Sequence, residues 1–173
     1  GALILCSTLV HYGQKLAVDV LGLTLINPLI DPIFPIPAIL KRSLRNISGM
    51  LSKVRVPLWP EALSFNSDAQ MTNRARTDLL RHKFITFGLI QAILKEAKEV
   101  RSLAYYINTP CFFLFSQQDG LTRHETGKLF AKAMDSELVS VREYPAKHDL
   151  LNETCRQQVF QDIWGWIQQL DKK

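Results

Sequence analysis

Apolar positions along this 173-residue chain follow two patterns: helical periodicity over long stretches, and short dense runs set between turn-forming residues. Ala2, Leu3, Leu5, Cys6, Leu9 and Val10 recur without a breaker before Gly13, which predicts a mostly buried helix over residues 2–14 closed by the glycine. "VLGLTLIN" is a short, partly β-branched run ending at Asn27-Pro28, the pattern of a buried strand. Prolines at 28, 32, 35 and 37 then stiffen the chain and carry it away from the sheet. From Ile36 to Val54 apolar residues return at three- and four-residue steps, with Lys41, Arg42, Arg45 and Lys53 elsewhere on the wheel, predicting a cationic amphipathic helix or a broken pair. Two roles fit that segment: a surface helix packed on its own domain, or a lid facing an apolar ligand or an anionic lipid surface. Residues 55–71 read as irregular, "MTNRARTDLLRH" as a short helix capped by Thr72 or Asn73, and "TFGLIQAILKEAKEVRSL" as a longer helix.

The last third is more sharply patterned. "PCFFLFS" is an apolar strand entered through a proline, Gln117 to Gly120 is a turn, and residues 122–134 form a helix with Leu129, Phe130 and Ala133 inward. "LVSVREY" alternates as a strand and stops at Pro145. Glu153 to Leu170 is a helix with Val159, Phe160, Ile163, Trp166, Ile167 and Leu170 on one broad face. Strand, helix, strand, helix with short loops predicts an α/β fold with a parallel sheet.

Composition narrows the class. The 47% of hydrophobic residues suffice for one core, so a single domain over 1–173 is expected, and no apolar run reaches the roughly 18–20 residues of a membrane helix. The apolar opening "GALILCSTLVHYG" has no basic residues ahead of it and no cleavage pattern behind it, which argues against a secretory leader. Cys6, Cys111 and Cys155 have no CxxC spacing and read as reduced, packed thiols, pointing to a cytoplasmic setting. The net charge of +5, much of it between Lys41 and Arg55, raises nucleic acid as a partner. No aromatic residues alternate with those cations and no zinc-finger or glycine-rich phosphate motif occurs, so no nucleic acid is expected. His124-Glu125 would open an H-E-x-x-H zinc motif, but position 128 is lysine, so no metal site is expected; His11 and His82 read as a helix-end and a surface histidine.

The chemistry gathers at two strand ends. Asp119 lies just past one strand and His148 just past the next, and loops leaving the carboxyl ends of neighbouring parallel strands meet. Asp119 before Gly120 would alone read as a turn former; with His148 at the matching strand end the two read as an acid and a base. A carboxylate that accepts the Nδ1 proton of an imidazole leaves Nε2 able to take a proton from a nucleophile. Asp149 beside His148 reads as a helix start.

From "INTPCFFLFSQQDGL" through "LVSVREYPAKHDLLNETCRQQVFQDIWGWI" the chain resembles the C-terminal part of the monoacylglycerol lipase and lysophospholipase group of α/β-hydrolases. "TDLLRHKFIT" resembles the segment that re-enters that domain after its lid, and "GALILCSTLV" the helix after its nucleophile elbow. The resemblance implies the C-terminal part of an α/β-hydrolase fold, with about three parallel strands and a helical lid insertion at about 31–72. It further implies Asp119 as triad acid, His148 as general base, a small amphiphilic acyl ester as substrate and no cofactor. Peripheral membrane contact through 36–55 is compatible with it. None of the serines present sits in a G-x-S-x-G frame, so the nucleophile is expected upstream of Gly1, and this segment alone is expected neither to turn over esters nor to pack tightly. The rival expectation is a truncated, non-catalytic hydrolase-like binding or scaffold domain.

Overall fold

The computed structural model describes residues 1–16, 19–33, 49–57, 65–80 and 82–170. In chain order the elements are α1 (Ala2–Tyr12), β1 (Leu23–Ile26), β2 (Arg55–Pro57), α2 (Ala69–Thr77), β3 (Phe84–Thr86) and α3 (Phe87–Ser102). They continue with β4 (Cys111–Ser116), α4 (His124–Lys132), β5 (Val139–Tyr144) and α5 (Arg156–Leu170). Strands β1, β4 and β5 form one parallel sheet in that order, in register from Leu23 opposite Cys111 and from Cys111 opposite Val139. This is the α/β arrangement with three parallel strands that the sequence predicts.

All six residues of β4 are buried, because helices cover both faces of the sheet. Alternate side chains serve two cores. Cys111, Phe113 and Phe115 join Leu3, Cys6, Leu25, Val100 and Phe130 on one face. Phe112 and Leu114 join Tyr144 at the end of β5, Leu150, and Val159 and Trp166 of α5 on the other. Each such phenyl or branched side chain contributes about 1.5–3 kcal/mol by leaving water. Phe112 stacks on Trp166 with centroids 5.5 Å apart, and Phe113 meets Phe130 edge-on at 6.0 Å. Close approach of α4 to β4 requires a glycine at 127, since a Cβ there would lie 2.5 Å from Phe115 Cε1.

Several expectations are corrected locally. Gly13 keeps right-handed helical angles, so α1 runs on as a 3-10 turn through Lys15 instead of ending in a left-handed glycine cap. The cap of α2 is Asp68, whose carboxylate accepts the N–H groups of Gln70 and Met71; neither Thr72 nor Asn73 caps it. Residues 55–57 are not irregular but pair antiparallel with 84–86, a three-residue ladder too short to show a period. Leu129 is 66% exposed and Ala133 is exposed, so of the three residues expected inward on α4 only Phe130 is buried. On α5 Phe160 is exposed and only Val159 and Trp166 are fully buried, a narrower stripe than expected. β5 does not alternate: it has a sheet neighbour on one side only among the described residues, and Arg142 and Glu143 keep that edge charged.

The lid expected over about 31–72 and the amphipathic segment 36–55 lie in large part on residues 34–48 and 58–64, outside the described residues. The described end of that segment is a 3-10 turn, Gly49–Lys53, entered at a glycine with φ of 63° and followed by β2, so no α-helix reaches Val54. Among the described residues no helix is long and apolar enough to cross a membrane.

The three cysteines are free thiols. Burial pushes the Cys6 and Cys111 thiols from the usual 9.0 up to about 12, with a Cys6 charge adding to the effect at Cys111, and burial also raises Cys155. The folded values exceed the unfolded one, so stability present below pH 9.0 is expected to fall as pH rises toward 12. Iodoacetamide near neutral pH should modify Cys155, the least buried, first and reach Cys6 and Cys111 only after denaturant is added, as peptide mass spectrometry would show.

Candidate functional site

β4 and β5 remain hydrogen-bonded beyond their last residues: Gln117 donates its backbone N–H to Tyr144 O at 3.0 Å and Gln118 to Ala146 O at 3.0 Å. The two loops thus leave the sheet side by side. In the first, Leu121 and Thr122 donate their backbone N–H groups to Asp119 Oδ1 at 2.7 and 3.3 Å, an Asx turn that fixes the carboxylate plane. In the second, Pro145 ends β5 and three residues bring the chain to His148, whose Nδ1 lies 2.8 Å from Asp119 Oδ2. The Asp119 side chain is 0% exposed and that of His148 is 29% exposed. The carboxylate therefore acts on the imidazole without competition from water, while the ring keeps an open edge.

The structure thus brings Asp119 and His148 together. Asp149 does not compete: its Oδ2 accepts from Asn152 Nδ2 at 2.9 Å, and it precedes a 3-10 turn at Leu150–Asn152. His124 pairs with Glu125 at 2.9 Å, and Lys128 bridges Glu125 and Glu143, so a cation occupies the place of the second zinc histidine. Among the described residues one set could reach a metal, His11 on α1 with Glu96 and Glu99 on α3, their ligand atoms lying within 4.8 Å of one another. These helices are not the strand-end loops that carry Asp119 and His148.

Beside His148 opens a cleft of about 400 Å³ lined by the apolar Ile26, Phe65, Leu121 and Leu150 and by the acidic Asp78 and Asp149. Phe65 meets the imidazole edge-on at 6.4 Å, and its carbonyl accepts the Asp149 N–H at 2.9 Å. Apolar side chains thus flank the imidazole, with two carboxylate residues, Asp78 and Asp149, on the same wall.

Four further residues support the histidine loop, and sequence reading passes over all of them. Glu153, 1% exposed, accepts the N–H groups of Ser67 and Lys147 on Oε1 at 2.8 and 3.2 Å and that of Thr154 on Oε2 at 3.3 Å. Asn27 and Ser116, at the ends of β1 and β4, reach the carbonyls of His148 and Lys147. Phe65 is the fourth. The available signals were weak: an Asn-Pro at a strand end, and a Glu five residues after the histidine.

The fold is shared with solved structures of low sequence identity. A monoacylglycerol lipase from Paleococcus ferrophilus superimposes with a TM-score of 0.85 at 16% identity, covering 98% of this chain and 65% of its own. A soluble variant of monoglyceride lipase from Saccharomyces cerevisiae, bound to a substrate analog, gives 0.78 at 19% identity, covering 99% and 62%. A thermophilic esterase from Thermogutta terrifontis gives 0.58 at 18% identity, covering 95% and 62%. The chain spans less than two thirds of the length of these structures. Its architecture is that of the C-terminal part of an α/β-hydrolase. Residues 1–155 match the family described as serine aminopeptidase, S33, and the chain belongs to that hydrolase family.

Proposed function

We propose that this chain is the acid- and base-bearing part of a serine hydrolase that cleaves carboxylic esters of small amphiphiles, a monoacylglycerol or a lysophospholipid. The observation that carries the reading is the 2.8 Å contact between His148 Nδ1 and a fully enclosed Asp119 carboxylate. The cleft of about 400 Å³ beside it is the acyl site in this reading, and the segment 31–72 contributes the lid. The nucleophilic serine lies N-terminal to Gly1. In this reading the N-terminal remainder of the domain covers the apolar side chains exposed at Ile4, Leu5 and Leu21.

The reaction proceeds as an acyl transfer. The serine hydroxyl attacks the ester carbonyl while His148 Nε2 takes its proton, and Asp119 stabilises the imidazolium. Collapse of the tetrahedral intermediate breaks the bond to the alcohol, which leaves with the proton from Nε2. Water, deprotonated by the same nitrogen, attacks the acyl-enzyme carbonyl; the bond to the serine oxygen breaks, that oxygen takes the proton back from Nε2, and the fatty acid is released.

A fluorophosphonate probe tests the assignment on the intact protein. The expected adduct maps to a serine N-terminal to Gly1, is competed by monoacylglycerol, and is lost in His148→Ala. Its absence from natively folded intact protein would favour a non-catalytic binding domain, a reading suggested by the lack of any G-x-S-x-G frame in residues 1–173. Competition by aminoacyl amides but not by monoacylglycerol would replace the ester by a peptide substrate.

A further inference from the structure

We propose that Asn27 and Ser116 form a strand-end clamp that positions His148 for its contact with Asp119. The proposal rests on the reading of His148 as general base and adds two positioning residues to it. Both side chains sit where β1 and β4 end, Asn27 at 4% and Ser116 at 0% exposure. Asn27 Oδ1 accepts the Ser116 N–H at 2.7 Å, and Asn27 Nδ2 donates to Ser116 Oγ at 2.8 Å and to His148 O at 2.6 Å. Ser116 Oγ in turn donates to Lys147 O at 2.5 Å.

The orientation of the amide is dictated by its neighbours. A backbone N–H can only donate and a carbonyl can only accept, so Oδ1 must face Ser116 N and Nδ2 must face His148 O. The hydroxyl accepts from Asn27 and has one proton, which goes to Lys147 O. Every donor and acceptor in the pair is thereby assigned.

The two carbonyls held are consecutive. Lys147 C=O belongs to the peptide plane that enters the His148 Cα, and His148 C=O to the plane that leaves it. Fixing both planes fixes the direction of the Cα–Cβ bond, and with it where the imidazole starts. Ser116 also reaches the other loop, its carbonyl accepting the Asp119 N–H at 3.4 Å. One buried residue therefore contacts the segments carrying both the acid and the base.

The backbone of Asn27 is shaped for this task. Among the described residues it is the one non-glycine at positive φ, 41°, a left-handed conformation that asparagine tolerates better than most residues. Its own N–H continues the ladder to Leu114 O at 2.9 Å, and Pro28 follows. The turn aims the amide across the end of β4 toward the histidine loop.

The test separates the amide from the backbone. Asn27→Gly keeps the left-handed conformation and deletes every side-chain bond; Asn27→Asp keeps the shape and deletes the donors. Ser116→Ala removes only the bond to Lys147 O and the acceptor for Asn27, and serves if the Asn27 variants fail to fold. In intact protein labelled with ¹⁵N-histidine, the hydrogen-bonded Nδ1–H resonance of His148 is expected to exchange with solvent at least tenfold faster in each variant. Amide protection along β4 should stay unchanged. In the intact enzyme kcat toward a p-nitrophenyl ester should fall roughly 10- to 100-fold with KM preserved, as expected when a small misplacement weakens a proton-transfer group. An unchanged Nδ1–H signal in folded variants, or lost geometry with unchanged kcat, overturns the clamp. If the wild-type intact protein hydrolyses no ester, the proposed function fails, and the exchange measurement alone decides whether the clamp holds the imidazole.

Discussion

Under the proposed ester hydrolysis, replacing Asp119 by asparagine is expected to lower kcat of the intact protein by about 10⁴-fold while the fold and KM persist, the magnitude by which a wrong histidine tautomer disables serine hydrolysis. The reason lies in how the carboxylate is held. Asp119 Oδ1 already accepts two backbone N–H groups, from Leu121 and Thr122. An asparagine side chain must keep its oxygen there, because an NH2 in that place would oppose two donors. Its NH2 then stands where Oδ2 now faces His148 Nδ1 at 2.8 Å, so Nδ1 must accept and the ring proton moves to Nε2. A protonated Nε2 cannot take the proton of a nucleophile. Steady-state kinetics with a soluble ester reads the loss, and ¹⁵N shifts of His148 read the tautomer independently of turnover. Retention of wild-type kcat with Nε2 protonated would remove His148 from the mechanism.

How much of this was legible in the sequence depends on the range of the force involved. "CFFLFS" is apolar at every position because β4 is covered on both faces, and such a run is visible without knowledge of its neighbours. The meeting of the Asp119 and His148 loops follows from β4 and β5 being adjacent and parallel, which the strand–helix–strand order implies. Facing direction was less accessible. Leu129 and Phe160 carry the right period but lie exposed, since periodicity gives a stripe and only the neighbouring elements decide its width. The β2–β3 pair and the Asp68 cap depend on three-residue ladders and single side chains, below the length at which a pattern emerges.

The supporting polar residues were hidden for a different reason. Asn27 and Ser116 are 89 residues apart in sequence, and their bond exists only because β1 and β4 are neighbours. From sequence alone Asn27 reads as a strand terminator and Ser116 as a serine outside a nucleophile frame, and neither reading involves the other. Glu153 reads as the start of a helix, where acidic residues are common, whereas α5 begins at Arg156. Nothing in a single sequence separates a solvated helix-start glutamate from one that bridges two loops.

That bridge makes Glu153→Ala the substitution with the largest expected effect on stability. The carboxylate ties Ser67, at the entrance to α2, to Lys147, the residue before His148, across 86 and 6 positions of chain. Alanine would leave both N–H groups without their acceptor, at about 1–3 kcal/mol for each donor that water cannot reach, while recovering part of the cost of burying a charge. A net loss of about 2–4 kcal/mol by urea unfolding is the expected result. Glu153→Gln discriminates between charge and geometry. Its oxygen can still accept from Ser67 and Lys147, and only the bond from Thr154 at 3.3 Å would meet an NH2 instead. A glutamine variant close to wild type beside a strongly destabilised alanine variant would assign the effect to the bridge. Equal losses would assign it to the charge, and an alanine variant within about 0.5 kcal/mol of wild type would show that water replaces the carboxylate at both N–H groups. Because the bridge ends one residue before the imidazole, amide exchange at Lys147 should quicken in the alanine variant before global unfolding does, coupling the stability of the 65–68 segment to the placement of His148.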